Sequence, residues 1–194
     1  FVNPRTGQIL GADIMLEYVY FTNRVKYEKI YDTFASGDLP SDDLQCLAGN
    51  YIQQGNMFGV MAMGNVSNYS NLEQHRIIYE SLVKLTLHEV GHTLGLTHNF
   101  YSSNLHSFTN IHDRHITEPI GLTSSVMDYV SANVGVDSKN HGQFYTTTPG
   151  PYDIWAVEFG YTPSLENPED EKDRLNVLLS KSCLLYTSPS PRDP

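Results

Sequence analysis

The chain is short of most features that classify a protein quickly. It holds two cysteines, one tryptophan and only 12 basic residues against 22 acidic ones in 194 positions. The resulting formal charge of −10 disfavours nucleic acid and anionic membrane surfaces as partners, since both would be repelled. No apolar run approaches the roughly 20 residues that span a bilayer. Of the two cysteines, Cys183 falls in a tail set apart below, which leaves Cys46 alone and no internal disulfide to expect. There is no initiating methionine and no signal-peptide pattern; the chain opens Phe1-Val2 and reads as an interior piece of a longer protein. Its length suffices for one domain of ordinary size.

What is present is concentrated in His88-Glu89-Val90-Gly91-His92-Thr93-Leu94-Gly95-Leu96-Thr97-His98-Asn99. On a helix, residues four apart lie one turn apart on nearly the same face. His88 and His92 can therefore offer ring nitrogens to one metal at about 2.0–2.1 Å. Glu89 sits roughly 100° around the helix from His88, too far to join as a third ligand but well placed to flank an open coordination position. Gly95 suits a left-handed residue that ends the helix and turns the chain, bringing His98 back as third ligand. Three protein ligands with one open vertex describe a catalytic zinc site; a structural site needs a fourth protein ligand, and the motif supplies none. From this composition a chance His-Glu-x-x-His is expected ~0.02 times, and the form extended by Gly and a third His ~0.00005 times. The extended pattern is the strong signal.

From His88 to Asn99 the chain resembles the metzincin metalloproteases, whose pattern is His-Glu-x-x-His-x-x-Gly-x-x-His. That clan carries a methionine in a tight turn beneath the metal, and Ser125-Val126-Met127-Asp128-Tyr129 looks like that Met-turn. Asn3-Pro4-Arg5-Thr6-Gly7-Gln8-Ile9-Leu10, Gly121-Leu122-Thr123 and Gly150-Pro151-Tyr152-Asp153 with Trp155-Ala156 are similar to a bacterial group of large zinc-dependent metzincin-like proteases. The likeness runs from about residue 1 to 163, tight at the zinc motif and loose between Tyr18 and Glu73.

The resemblance implies an α+β fold: a zincin catalytic domain with a twisted mixed sheet, a long active-site helix and a loop-rich C-terminal subdomain, its N-terminal strands and first helix missing. It divides the chain into a partial upper subdomain at 1–98, a lower subdomain with the Met-turn at 99–181, and a tail at 182–194. It implies one catalytic zinc ion held by His88, His92 and His98, with Glu89 as general base and then acid toward a zinc-activated water. Met127 is expected as a soft floor under the histidines rather than a ligand. Tyr129, two positions further on, is in several metzincins a ligand or oxyanion donor; the alternative is a buried tyrosine bonded elsewhere. Peptide or protein substrates follow, with specificity set beside the Met-turn at 119–135. The parent protein is expected to be secreted, periplasmic or on the cell surface. The edge strand that pairs with extended substrates would survive only as Phe1 and Val2, so the piece alone is expected to cleave poorly. A catalytically silent peptide-binding module is the competing reading, and the intact Glu89 weighs against it.

The other histidines carry less. His75 lies at a polar helix start and reads as solvated. His106, His112 and His115 with Asp113 have the composition of a second metal cluster, but such a loop spacing is more often solvated. His141 has no partner in the sequence. Asp128 can either orient a ligand histidine or brace its turn, and Asn99 is expected to shape the backbone after the third ligand.

Coarse structure follows from pattern. Asn3 to Gly7 is a turn and Ile9 to Leu16 a strand. Helices are expected from Tyr18 to Phe34, from a Ser41-Asp42-Asp43 cap to about Gln54, and from about Leu72 to Leu94. In the last of these Ile78, Leu82, Leu85, Glu89 and His92 form one stripe, apolar early and metal-binding late. Met57 to Met63 reads as a strand or buried loop, 100–124 as irregular, and Ile154 to Phe159 as a final helix capped by Asp153. Ser182 to Pro194 resembles sequencing adapter translated in frame; the alternative is a Ser/Pro linker, and neither belongs to the fold.

Overall fold

The computed structural model describes residues 1–14, 48–65, 70–135 and 141–182. The helix expected at Tyr18 to Phe34 and the Ser41-Asp42-Asp43 cap lie outside them. In chain order the described helices are α1 (Ala48–Asn65), α2 (Asn71–Thr93), α3 (Arg114–Ile120), α4 (Pro151–Tyr161) and α5 (Pro168–Ser180). Among the described residues β structure is limited to isolated bridges, Val2 with Ile9 and Asp113 with His141. The strand expected from Ile9 is, as far as Ile14, this single bridge followed by irregular chain. The turn before it is present: Gly7, at φ +73°, donates to the Asn3 carbonyl, and Asn3 donates to that of Gln8.

Met57 to Met63 is helix, not strand or loop, and α1 runs through it to Asn65. Gly59 misleads a local reading because its role is tertiary. A Cβ there would run into the Ile77 side chain of α2, so the glycine lets the two helices close together. Gly55, one turn earlier, gives the same clearance to the Tyr145 hydroxyl and the Ala132 backbone. The core lies at this contact: Ile52 and Met63 from α1, Ile77 and Leu85 from α2, and Ala132, Phe144 and Tyr145 from the C-terminal half.

Helix α2 matches its expected extent to within a residue. Its N-terminus is fastened by Glu73, whose carboxylate accepts the Ser70 amide at 2.7 Å. Its buried face departs from the expected stripe by about one position. Ile77, Ser81, Lys84, His88 and Gly91 are buried, while Ile78, Leu82, Glu89 and His92 are only half-buried; Leu85 alone of the expected stripe is fully inside. Steps of four, three, four and three define both stripes, so periodicity alone could not separate them. The polar residues on the true inner face are satisfied by partners distant in sequence. Ser81 accepts from Asn56 of α1 at 2.9 Å. Glu80 accepts the amides of Phe144 at 2.6 Å and Tyr145 at 3.2 Å, and Arg76, ion-paired with Glu80, donates to the Gly142 carbonyl at 2.8 Å.

The segment 100–124 is more regular than expected, with a 3-10 turn at Ser102–Asn104 and α3 behind an Asp113 cap. Helix α4 begins at Pro151, so Asp153 lies inside its first turn rather than before it. From there the carboxylate reaches back to the Gly150 amide at 2.8 Å and across to Ser125 Oγ at 2.6 Å and the Val126 amide at 2.8 Å. Helix α5, absent from the expected elements, opens on an Asn167 cap with Pro168 and three acidic residues in its first turn. It docks on α4 through Trp155, whose indole donates to the Leu178 carbonyl at 2.8 Å.

Asp153 is 3 % exposed and holds three donors, two of them backbone amides that have no other acceptor among the described residues. Stranding such groups costs on the order of 1–3 kcal/mol each. Asp153→Ala is therefore expected to lower unfolding free energy by about 2–5 kcal/mol in urea titrations. Glu118→Ala, which breaks an exposed pair with Arg114, serves as the control at about 0.5 kcal/mol or less.

Candidate metal centre

Helix α2 ends as the glycine position requires. Gly95 has φ +83°, its amide donates to the His92 carbonyl at 3.0 Å, and the Leu96 amide donates to that of Gly91 at 3.0 Å. This pair of bonds is a Schellman closure, and it reverses the chain within three residues. Tyr161 of α4 satisfies another terminal carbonyl, donating to Leu94 O at 2.9 Å. Beyond the turn, the Asn99 amide donates to the Met127 carbonyl at 3.1 Å, which fixes the backbone next to His98.

These constraints bring His88, His92 and His98 together. Their ring centroids lie 4.8, 4.9 and 5.3 Å apart, and one ligand nitrogen from each lies within 4.8 Å of the others. His88 Nδ1 sits 2.8 Å from the Val126 carbonyl and His92 Nδ1 3.1 Å from that of Leu96. A carbonyl only accepts, so each Nδ1 carries the proton and each Nε2 keeps its lone pair for a metal. The donor set fits a divalent cation that favours imidazole. Among the described residues this is the one cluster of three or more His, Cys, Asp or Glu side chains close enough to hold an ion.

The Met-turn lies directly against the helix. Met127 is wholly buried, and a Cβ on Gly91 would collide with its sulfur. Gly91 thus sits between the two helical histidines and lets the thioether in beneath them. Tyr129 is half-buried, with its hydroxyl 2.8 Å from His98 Nε2 and its ring 4.6 Å from the same imidazole. It stacks at 5.2 Å on Tyr51 of α1. The Asp128 carboxylate accepts from Ser102 Oγ at 2.8 Å and the Ser103 amide at 3.0 Å, which braces the turn against the chain after His98. Glu89, with His92 and Thr93, lines a cavity of about 460 Å³ whose other wall is the N-terminal hairpin, including Val2, Ile9 and Asp13.

The loop histidines are not gathered into a site. His106 bonds the Gly121 carbonyl at 2.8 Å, His115 is exposed, and Asp113 caps α3 through the His115 amide at 2.8 Å. His141 is buried and stacked 4.6 Å from Phe144, and His75 is exposed. Sequence reasoning missed two buried polar residues, Lys84 and Glu80, and read Asp153 only as a helix cap, not as the acceptor for Ser125 and Val126. The signal for Lys84 was its place one helical turn before His88 on the same face.

Burial, and then the charge of Lys84, push the His88 imidazole down from 6.5 to about 3. It is neutral at physiological pH, so no proton has to leave before a metal binds. Burial pushes the carboxyls of Glu80, Asp128 and Asp153 up, against the hydrogen bonds that hold them down.

A family model described as Met-zincin matches residues 70–189, more than half of the chain, from the start of α2 into the tail. No curated protein and no solved structure matches the chain.

Between pH 6.5 and about 3 the unfolded chain binds more protons at His88 than the folded chain does, so this stabilising contribution is complete above pH 6.5 and is lost on acidification. The raised carboxyls of Glu80, Asp128 and Asp153 act in the opposite direction in wild type and in His88→Gln alike, so the difference between the two proteins isolates His88. From pH 7 to pH 5 metal-free wild type is expected to lose stability relative to His88→Gln. Equal slopes in chemical denaturation would remove His88 as the source.

Proposed function

The chain belongs to the Met-zincin family, and on that footing we propose that it is the catalytic region of a zinc-dependent endopeptidase. The observation that carries the proposal is the convergence of His88, His92 and His98, with Glu89 beside them facing the cleft under the N-terminal hairpin. His88, His92 and His98 would hold the ion. When bound, zinc supplies a Lewis-acid charge that polarises a carbonyl and makes a water acidic near neutral pH.

The remaining steps belong to the chain's own groups. An extended peptide lies in the cleft between the hairpin and α2, its scissile bond above the three imidazoles. The Glu89 carboxylate accepts the proton of the attacking water and delivers it to the leaving nitrogen, so that the peptide C–N bond breaks to a carboxylate and an amine. The Tyr129 hydroxyl, 2.8 Å from His98 Nε2, is close enough to donate to the oxygen that gains charge as the carbonyl becomes tetrahedral. Met127 packs beneath the rings and keeps water out from below.

The full-length protein digesting a peptide library tests the reading against a silent binding module. Glu89→Gln is expected to abolish cleavage while zinc content, by atomic absorption, stays at about one ion per chain. Substantial residual activity would end the general-base assignment. His98→Ala is expected to weaken zinc binding by at least about tenfold in competition with a chromophoric chelator. Unchanged affinity would remove His98 from the ligand set.

A further inference from the structure

Lys84 has no place in the chemistry above, yet it is buried on the metal-bearing face of α2, 1 % exposed and one turn before His88. A buried ammonium is costly unless its donors are used and its charge is met. Here its Nζ donates to the Val126 carbonyl and, at 3.0 Å, to the Asp128 carbonyl. These are the carbonyl oxygens of the residues before and after Met127. Its charge also acts on the buried carboxylates of Asp128 and Asp153, which fasten the same turn to Ser102 and to α4.

The Val126 carbonyl is shared. It accepts from Lys84 Nζ on one lone pair and faces His88 Nδ1 at 2.8 Å with the other. That carbonyl decides which nitrogen of His88 keeps the proton and where the ring points. Whatever fixes the carbonyl therefore fixes the ligand, and Lys84 fixes it from the same helix that carries His88. We propose that Lys84 is a positioning residue for the metal centre, its ammonium clamping the carbonyls that flank Met127 so that His88 presents Nε2 to the ion.

The inference rests on the reading of His88, His92 and His98 as metal ligands, and its test separates the two. The 194-residue chain is purified as wild type, Lys84→Met and Lys84→Arg. Methionine keeps an unbranched apolar stem and deletes the donors, whereas arginine keeps charge and donors but displaces them. Three quantities are measured on each: far-UV circular dichroism, zinc affinity by chelator competition, and the visible spectrum of the cobalt-substituted protein, which reports ligand geometry without any turnover.

Lys84→Met is expected to keep the wild-type helix signal, lose about tenfold to a hundredfold in zinc affinity, and show a shifted cobalt spectrum. A merely structural lysine would lower the unfolding temperature of the metal-free protein and leave the affinity and spectrum of the folded protein unchanged. That outcome overturns the proposal while leaving the three-histidine reading intact. If Lys84→Met does not fold, the decision passes to Lys84→Arg, where a shifted cobalt spectrum supports the proposal and an unshifted one overturns it. Wild-type protein that binds no zinc would overturn both readings together.

Discussion

Irregular backbone inside a protein must find hydrogen-bond partners for every peptide group, and here that demand falls on the Met-turn. Every residue from Gly121 to Asp128 is buried, with no regular strand partner among the described residues. An orphaned peptide group costs on the order of 1–3 kcal/mol, so side chains reach in from elsewhere. Lys84 and His88 come from α2, Asp153 from α4, and Ser102, whose hydroxyl donates to the Ser125 carbonyl, from the chain after the third histidine. The polar network that satisfies the turn thereby also reaches the histidine cluster, through the Val126 carbonyl that faces His88 Nδ1. Stability and site geometry are one problem in this molecule.

The centre is assembled from parts of unequal stiffness. His88 and His92 ride on a 23-residue helix whose inner face is packed and hydrogen-bonded. His98 follows a tight glycine turn and depends on the Asn99–Met127 backbone bond for its placement. Tyr129 leans on His98 from one side while stacking on Tyr51 from the other, which connects α1 to the centre.

Local pattern made the histidine cluster and the long helix legible. His88, His92, Gly95 and His98 announce themselves because spacing on a helix and the need for a left-handed residue are local facts. The same holds for the span of α2. What could not be read depended on partners far along the chain. The inner face of α2 lies one position from its apolar stripe because hydrophobicity is not what buries it. Lys84, Ser81 and Glu80 are inside on the strength of bonds to residues 25 to 65 positions away. Met57 to Met63 misled for a related reason, Gly59 answering to Ile77 and not to its own helix. Helix α5 is a different case: Asn167-Pro168 followed by Glu169, Asp170 and Glu171 is an ordinary local start signal, and it was legible. The expected sheet has only its first bridge within the described residues, and the family match itself begins at residue 70.

The helix grips the turn by oxygens that belong to the main chain. Val126 is addressed through its amide and carbonyl, atoms of the main chain, whereas Ser125, Met127 and Asp128 are used through their side chains. The position between Ser125 and Met127 is thus free to drift in identity without moving the anchor points, and the signature reads as Ser-x-Met-Asp with one silent beat. A motif search that weights every letter equally would overlook relatives whose architecture is the same.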